Sequence, residues 1–534
     1  MHLLTGDVLS RYLRLTDRRV VYVTGSDAHG TPIVISAEQV GSKPEEVALK
    51  YHQQYKKLLK LWNIEIDNYS ITHNPTHTEF CQEFYREIQR NGYIFKSKSK
   101  QPFCPKCRIF LPDRFVEGTC PDCGWPEARG DQCTNPNCGH LLNPTDLLNP
   151  RCKTCGAAPI IKETIHWYFD LPKLRKQLEK FLDDCPILTE SARNFAKKIV
   201  KEGLEPRPIT RDLEWGIPAG QIFKGAERKV LYVWAENILG YLSATKELTE
   251  RNEKPDEWKK LWQNKRTKTV FCIGKDNTIF HAIIFPALLL ATHEPYVLPY
   301  AITVTEFITF HGQPFSKSKG IGVGAEEALE VAPADYWRYF LIIERPETKD
   351  LNFTWEKFLE RVNNDLNNVL GNFVHRTLTF IYKEFDKKVP PQGQLKSEDR
   401  QLLRLIKTTA RRQSKLIENF RFKDSLDAVL SLAKAGNTYL SSREPWHLIK
   451  RDRDAASTTL NVAVQVVNAL AILIQPYMPL AARSIRKMLN LPEVIEEGEF
   501  GRIGNSPLPA GHSILEPKAL FKKLDKKEAL GAHT

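Results

Sequence analysis

The chain has 534 residues, too many for one hydrophobic core, so three or more domain-sized units are expected. Hydrophobic residues make up 42% and charged residues 26%, which excludes a disordered chain. No unbroken apolar run of about 18 residues is present, which argues against a membrane span. Lysine and arginine outnumber aspartate and glutamate by 77 to 64, a formal charge of +13 that suits a polyanionic partner without identifying one.

The chain opens MHLLTGDVLSRYLRL, without the charged region or cleavage site of a secretory signal, so a cytoplasmic protein is expected. A helix is expected after Asp7. Arg19–Asp27 (RVVYVTGSD) is apolar and β-branched and turns at Gly25, the pattern of a buried parallel strand running into a loop. Helical periodicity follows over Pro44–Trp62 and Thr76–Gly92. The next stretch of roughly 70 residues is rich in Cys, Pro and Gly and reads as an inserted, loop-rich module. Strand and helix patterns then resume: Thr267–Gly274 as a buried strand, Thr278–Leu290 as a helix and Tyr300–Thr305 as a strand. This alternation implies a doubly wound parallel sheet interrupted by an insertion, with ligands expected at the loops Gly25–Pro32 and Gly274–Asn277. From about Asp350 the strands give way to helices. Phe358, Val362, Leu366, Val369 and Phe373 recur at helical spacing behind Thr354, an expected N-cap. Further amphipathic helices are expected over Asp399–Asn419, Phe422–Leu440 and Thr458–Ile474, forming a bundle that ends in an irregular tail.

Eight of the 11 cysteines lie between Cys104 and Cys155, as Cys104/Cys107, Cys120/Cys123, Cys133/Cys138 and Cys152/Cys155. A C-x-x-C turn brings two thiolates to one metal, and two such turns complete a Cys₄ site. Two zinc ions in closed, structural sites are therefore expected, in preference to disulfides. Spacing leaves three pairings open; we favour the nested one, inner with inner and outer with outer. Cys81, Cys185 and Cys272 read as ordinary buried thiols.

Phe315–Gly320 (FSKSKG) offers serine and lysine donors in a glycine-flanked loop, chemistry suited to a triphosphate. Taken singly such triplets are solvated surface. Trp234 and Tyr241 taken singly read as core aromatics, and His281 as a core histidine. In combination these segments resemble the class I aminoacyl-tRNA synthetases, and most of all the archaeal-type methionyl-tRNA synthetases with two zinc sites. FSKSKG is similar to their K-M-S-K-S loop, with Pro314 and Phe315 replacing the first lysine and the methionine. His2 fits the second histidine of their H-x-G-H sequence, so the extreme N-terminus with its first histidine and strand is expected to be missing. GSDAHGTP (Gly25–Pro32), YVWAENILGY (Tyr232–Tyr241) and GKDNTIFH (Gly274–His281) resemble the family's substrate motifs, although the family usually has proline where Ile238 stands.

The resemblance implies a fold and a set of roles. The fold is α/β, a Rossmann-type doubly wound parallel sheet interrupted by a zinc-knuckle insertion and followed by an α-helical bundle that binds the anticodon. It implies His2 and Lys317 as catalytic groups, and ATP binding by these two with Ser316, Ser318, Gly274, Asp276 and Asn277. Asp27, Trp234, Tyr241, Phe280 and His281 would bind methionine, with Arg211 and Lys275 in support. The eight knuckle cysteines would bind zinc, and Mg²⁺ would accompany ATP. Asn372 and Arg376 in LGNFVHR (Leu370–Arg376) lie one helical turn apart, and with Trp446 they would read the anticodon of tRNA(Met). The expected divisions are two catalytic halves (1–95 and 206–312), the connective insertion (96–205), the K-M-S-K-S-like loop with a stem-contact region (313–349), the anticodon bundle (350–485) and a tail (486–534). The implied activity is methionine–tRNA ligation, with tRNA(Met), ATP and L-methionine as partners and no membrane. A tRNA-binding protein acting in trans is compatible with the sequence. Two alternatives stand beside it: an inactive tRNA-binding paralogue, because of the short N-terminus, and another class I synthetase of the leucine, isoleucine, valine or cysteine type.

Overall fold

The computed structural model describes residues 1–130, 132–135, 138, 140, 142–315 and 320–525. They form two compact units, one of Met1–Tyr22, Leu58–Glu65 and Thr305–Thr534, the other of Val23–Lys57 and Ile66–Val304.

In the second unit, Val23–Ser26 pairs in parallel with Asn68–Ile71, with Gly25 opposite Ser70. A Cβ at Gly25 would stand 2.6 Å from the Ser70 carbonyl oxygen, so only glycine permits this approach. The strand expected over Arg19–Asp27 is thus cut to four residues, the length its partner offers. A second sheet runs in the order Val270–Gly274, Ala301–Thr305, Ile187–Leu188, with the last two parallel. Helices Pro44–Leu61 and Pro75–Arg90 fall close to expectation, the last capped by the Asn74 side chain accepting from the His77 N–H at 2.8 Å, and a further helix, Thr31–Val40, precedes them. The single helix expected over Thr278–Leu290 is instead a π-helical turn, Phe280–Ile284, followed by an α-helix, Phe285–Ala291. Pro286 supplies the reason: it lacks an N–H and its ring crowds the carbonyl four residues back, so the turn ahead of it widens.

The insertion is built on a long antiparallel hairpin, Ile94–Cys104 against Ile160–Phe169. A smaller antiparallel sheet of Val116–Thr119, Ala128–Arg129 and Leu148–Cys152 carries knuckle cysteines at its edges.

In the first unit the N-terminal helix spans His2–Leu15, not the residues after Asp7, because the Thr5 N–H closes a first turn on the Met1 carbonyl at 3.0 Å. Thr354 caps Trp355–Arg361 as expected, accepting from the Lys357 N–H at 3.3 Å. A π-helical stretch, Val362–Gly371, leads into Asn372–Glu384. Ser397–Glu418, Phe422–Arg443, Arg453–Leu473 and Pro479–Met488 complete the bundle. Arg453–Leu473 has a mean hydropathy of 1.5 and the length of a membrane span, but 94% of that window is buried, as befits a helix surrounded by others.

Arg338, on the helix Ala334–Ile343, is fully buried and saturates all five of its donors. Nε donates to the Tyr477 carbonyl at 2.8 Å, and Nη1 to the carbonyls of Trp62 and Asn63 at 3.3 and 3.0 Å. Nη2 donates to Asp7 Oδ2 at 2.6 Å and to the Pro476 carbonyl at 3.0 Å. Asp7 also accepts from Arg11 Nε at 2.9 Å and from the Glu65 N–H at 2.8 Å.

Candidate functional site

In the second unit, Asp27 follows the strand Val23–Ser26, in the loop that leads to the helix Thr31–Val40. The residue as a whole is exposed, yet protein crowds around its carboxyl. The lost hydration, with the Glu236 carboxylate nearby, pushes it up to about 7. Asn237 Nδ2 donates to its Oδ2 at 3.1 Å. This bond ties Asp27 to the segment carrying Trp234 and Tyr241.

Trp234 and Phe280 stack with centroids 4.0 Å apart and planes 11° from parallel. Beside them the Tyr241 hydroxyl lies 2.9 Å from His281 Nε2, while His281 Nδ1 lies 3.0 Å from the Asn277 carbonyl. A carbonyl can only accept, so Nδ1 carries the proton and Nε2 accepts from the Tyr241 O–H. Burial pushes His281 down to about 4 and Tyr241 well above its ordinary range, so both stay neutral. Phe280 and His281 both sit in the widened turn Phe280–Ile284.

Arg211 lays its guanidinium 3.6 Å over the Tyr232 ring. It lines a cleft together with Tyr232, Trp234 and Phe280, which Tyr241 and His281 do not line. Next to it Asp212 is held down to about 2. Burial opposes ionisation there, but hydrogen bonds from His166 and Lys229 outweigh it. The loop after Val270–Gly274 holds Lys275–Asn277 in a 3₁₀ turn, with Gly274, Lys275 and Asn277 half-buried and Asp276 exposed.

A second set of groups was not singled out in the sequence. Glu236 is completely buried between two histidines, Oε1 at 2.9 Å from His29 Nδ1 and Oε2 at 2.7 Å from His77 Nε2. His77 Nδ1 reaches Ser243 Oγ at 2.7 Å, and His29 Nε2 reaches His73 Nδ1 at 3.2 Å. Burial works against the Glu236 charge, but hydrogen bonds from His29 and His77 hold its carboxyl below the ordinary value.

The cysteines form two groups, Cys104/Cys107/Cys152/Cys155 and Cys120/Cys123/Cys133/Cys138, which is the nested pairing. Sulfur–sulfur distances are 3.5 Å for Cys104–Cys155, 4.0 Å for Cys107–Cys152 and 3.6 Å for Cys123–Cys133. A zinc tetrahedron with Zn–S near 2.3 Å has edges of about 3.8 Å, whereas a disulfide needs about 2.0 Å. The donors therefore fit zinc. Three knuckles close alike: the N–H after the second cysteine bonds the first cysteine's carbonyl, from Arg108 at 2.8 Å, Gly124 at 3.0 Å and Gly156 at 2.8 Å. All three closing residues have positive φ, 59°, 70° and 72°.

In the first unit, His2 is exposed at the first position of the helix His2–Leu15. Ser316, Lys317 and Ser318 lie outside the described residues. Asn372 is exposed at the start of its helix, and Arg376, one turn on, places its guanidinium 4.9 Å over the Trp446 ring. Trp446 reaches that position because Glu444, at φ 41°, turns the chain sharply between Phe422–Arg443 and Pro445–Arg451.

A family model described as tRNA synthetases class I (M) matches residues 1–378, and one for the anticodon binding domain of methionyl tRNA ligase matches 389–532. The methionine–tRNA ligase of Thermofilum pendens is 45% identical over 529 residues, 99% of this chain and 92% of that protein. That of Aeropyrum pernix is 45% identical over 522 residues, 98% of this chain and 90% of that protein. A solved structure of Mycobacterium tuberculosis methionyl-tRNA synthetase with methionyl-adenylate aligns at a TM-score of 0.80 and 25% identity, over 97% of this chain and 95% of that one.

Proposed function

We propose a residue-level scheme from one premise: the chain belongs to the methionine–tRNA ligases, class I aminoacyl-tRNA synthetases. The reaction is ATP-dependent activation of L-methionine to methionyl-adenylate, then transfer to the 3′ end of tRNA(Met).

Asp27 takes the methionine ammonium, with Asn237 fixing one carboxylate oxygen and leaving the other for the ligand. Trp234, Phe280, Tyr241 and His281 enclose the side chain, where the polarizable thioether gains from aromatic contacts. A neutral His281 that already accepts from Tyr241 offers no charge to attract water or a polar side chain. His2, Ser316, Lys317, Ser318, Gly274, Asp276 and Asn277 hold ATP, with Arg211 and Lys275 in support. His2 in the first turn of a helix suits phosphate, since backbone N–H groups there point outward. The methionine carboxylate attacks the α-phosphorus, the bond to the β-phosphate oxygen breaks and pyrophosphate leaves. His2 and Lys317 stabilise the charge that builds on the phosphorus oxygens, by position and electrostatics alone. Mg²⁺ bound with ATP supplies neutralisation of the triphosphate. A hydroxyl of the terminal tRNA ribose then attacks the adenylate carbonyl and releases AMP.

Asn372, Arg376 and Trp446 read the anticodon, an assignment supported by the Arg376–Trp446 stack, a platform for unpaired bases. Each Cys₄ group holds one zinc; four thiolates close the coordination sphere, so the metals support the insertion's fold. The six divisions given above follow this assignment of roles. We place the chain in the cytoplasm, and no tRNA-binding partner in trans is invoked.

The observation that carries the scheme is the Trp234–Phe280 stack on a segment bonded through Asn237 to Asp27. The test is ATP–pyrophosphate exchange with methionine, leucine and cysteine, followed by charging of tRNA(Met) transcripts. Methionine-dependent exchange alone, and loss of charging when CAU is altered, is expected. Exchange with leucine or cysteine instead would overturn the assignment of the side-chain pocket.

A further inference from the structure

We propose that Glu236 is a positioning residue for the amino-acid site: by bridging His29 and His77 it fixes the ammonium anchor Asp27 relative to the aromatic wall at Trp234. The inference rests on the methionine site proposed above.

The geometry is specific. His29 is two residues from Asp27, and Glu236 is two residues from Trp234. His77 belongs to a third element, the capped helix Pro75–Arg90. The Glu236 carboxylate accepts from both rings at 2.9 and 2.7 Å with no exposure to water. His77 is fixed on its far side by Ser243 at 2.7 Å, so the bridge has a rigid footing. The Asp27 loop has two more ties of the same sense: the Ala28 N–H donates to Thr72 Oγ1 at 2.9 Å, and Trp215 Nε1 donates to the Ala28 carbonyl at 2.8 Å. A core stabilised only for folding has no need of an anion here; burying a carboxylate is costly unless it is fully hydrogen-bonded, and apolar groups of like volume serve folding as well. Two imidazoles aimed at one carboxylate hold two loops at a set distance, which an apolar contact does not do. The network touches neither the ammonium nor the thioether, so its effect passes through Asp27.

The test is equilibrium binding of radiolabelled methionine, and separately of ATP, to the full chain and its variants, with thermal melts as a control. Glu236→Gln keeps the volume and one acceptor, and His77 can change tautomer against Ser243 to meet the amide. We expect methionine binding five- to twentyfold weaker and ATP binding within twofold. His29→Ala is expected to weaken methionine binding by a similar factor. His29→Asn, whose amide N–H stands where Nδ1–H stood, is expected to restore most of it. Unchanged methionine affinity in Glu236→Gln and His29→Ala, with the unaltered chain binding methionine, overturns this inference and leaves the site intact. Equal losses for methionine and ATP, or no rescue by His29→Asn, also overturn it. If Glu236→Gln fails to fold, the His29 pair decides. Failure of the unaltered chain to bind methionine overturns the site and this inference together.

Discussion

Asp27 serves two opposed demands. In the proposed scheme its site must surround an ammonium, and the same enclosure resists the carboxylate while no ligand is present. Its carboxyl, raised from 3.8 to about 7, is neutral in a growing fraction of molecules as pH falls below about 7. An ammonium ligand needs the ionised form. The dissociation constant for methionine should therefore be level above about pH 8 and rise toward tenfold per unit below about 7, as measured by binding across pH. The stability sign runs the other way. Between 3.8 and about 7 the folded chain keeps a proton that the unfolded chain has shed, so stability from this group is lost as pH rises through that window. Asp27→Asn should raise the melting temperature of the ligand-free chain at pH 8 and leave it unchanged near pH 4, while costing about 3 kcal/mol in methionine binding. Tyr241→Phe removes the donor to His281 Nε2 and leaves it buried and unpaired, a loss of about 1–3 kcal/mol visible in a denaturant titration. Asp27, Trp234, Tyr241 and His281 could be proposed from the sequence because they sit in short motifs. The bridge was not legible: Glu236 and His29 sit in two of those motifs, but Glu236 and its two histidine partners lie 159 to 207 residues apart and no periodicity links them. A lone glutamate inside the apolar run YVWAENILGY was the one available sign of a buried charge.

At the scale of elements the knuckles are the clearest case. Their spacing pointed to metal sites, and the grouping into two tetrads that could hold an ion each followed the nested order. What spacing could not show is the common closing turn. Arg108 adopts φ 59° where Gly124 and Gly156 stand in the other two, a left-handed conformation that a Cβ disfavours. Arg108→Gly should stabilise the zinc-loaded insertion by about 0.5–1 kcal/mol after the added entropy of the unfolded glycine, seen as slower zinc release to a chelator. Strand lengths were overestimated because pairing, not β-propensity, sets where a strand stops, as at Val23–Ser26. The widened turn at Phe280–Ile284 was within reach: Pro286 in the apolar run HAIIFPALLL marks a helix that cannot remain regular.

At the scale of the whole molecule, the unit built on the bundle takes in Met1–Tyr22 and Leu58–Glu65 as well. Arg338 explains why these segments belong there. It binds Asp7, Trp62 and Asn63 and the carbonyls of Pro476 and Tyr477, with no donor to spare. Arg338→Met should destabilise this unit by about 3–5 kcal/mol, because it strips a buried carboxylate of one of its two cations. Asp7→Asn combined with Arg338→Met should cost less than the sum of the two, as read by chemical denaturation. The hub has a practical outcome for anyone dividing the gene. A fragment beginning at Thr305 carries Arg338 into its interior with three of five bonds gone, and two of its missing partners lie on a strip of eight residues encoded far upstream. A stand-alone anticodon reader would need both upstream pieces grafted on.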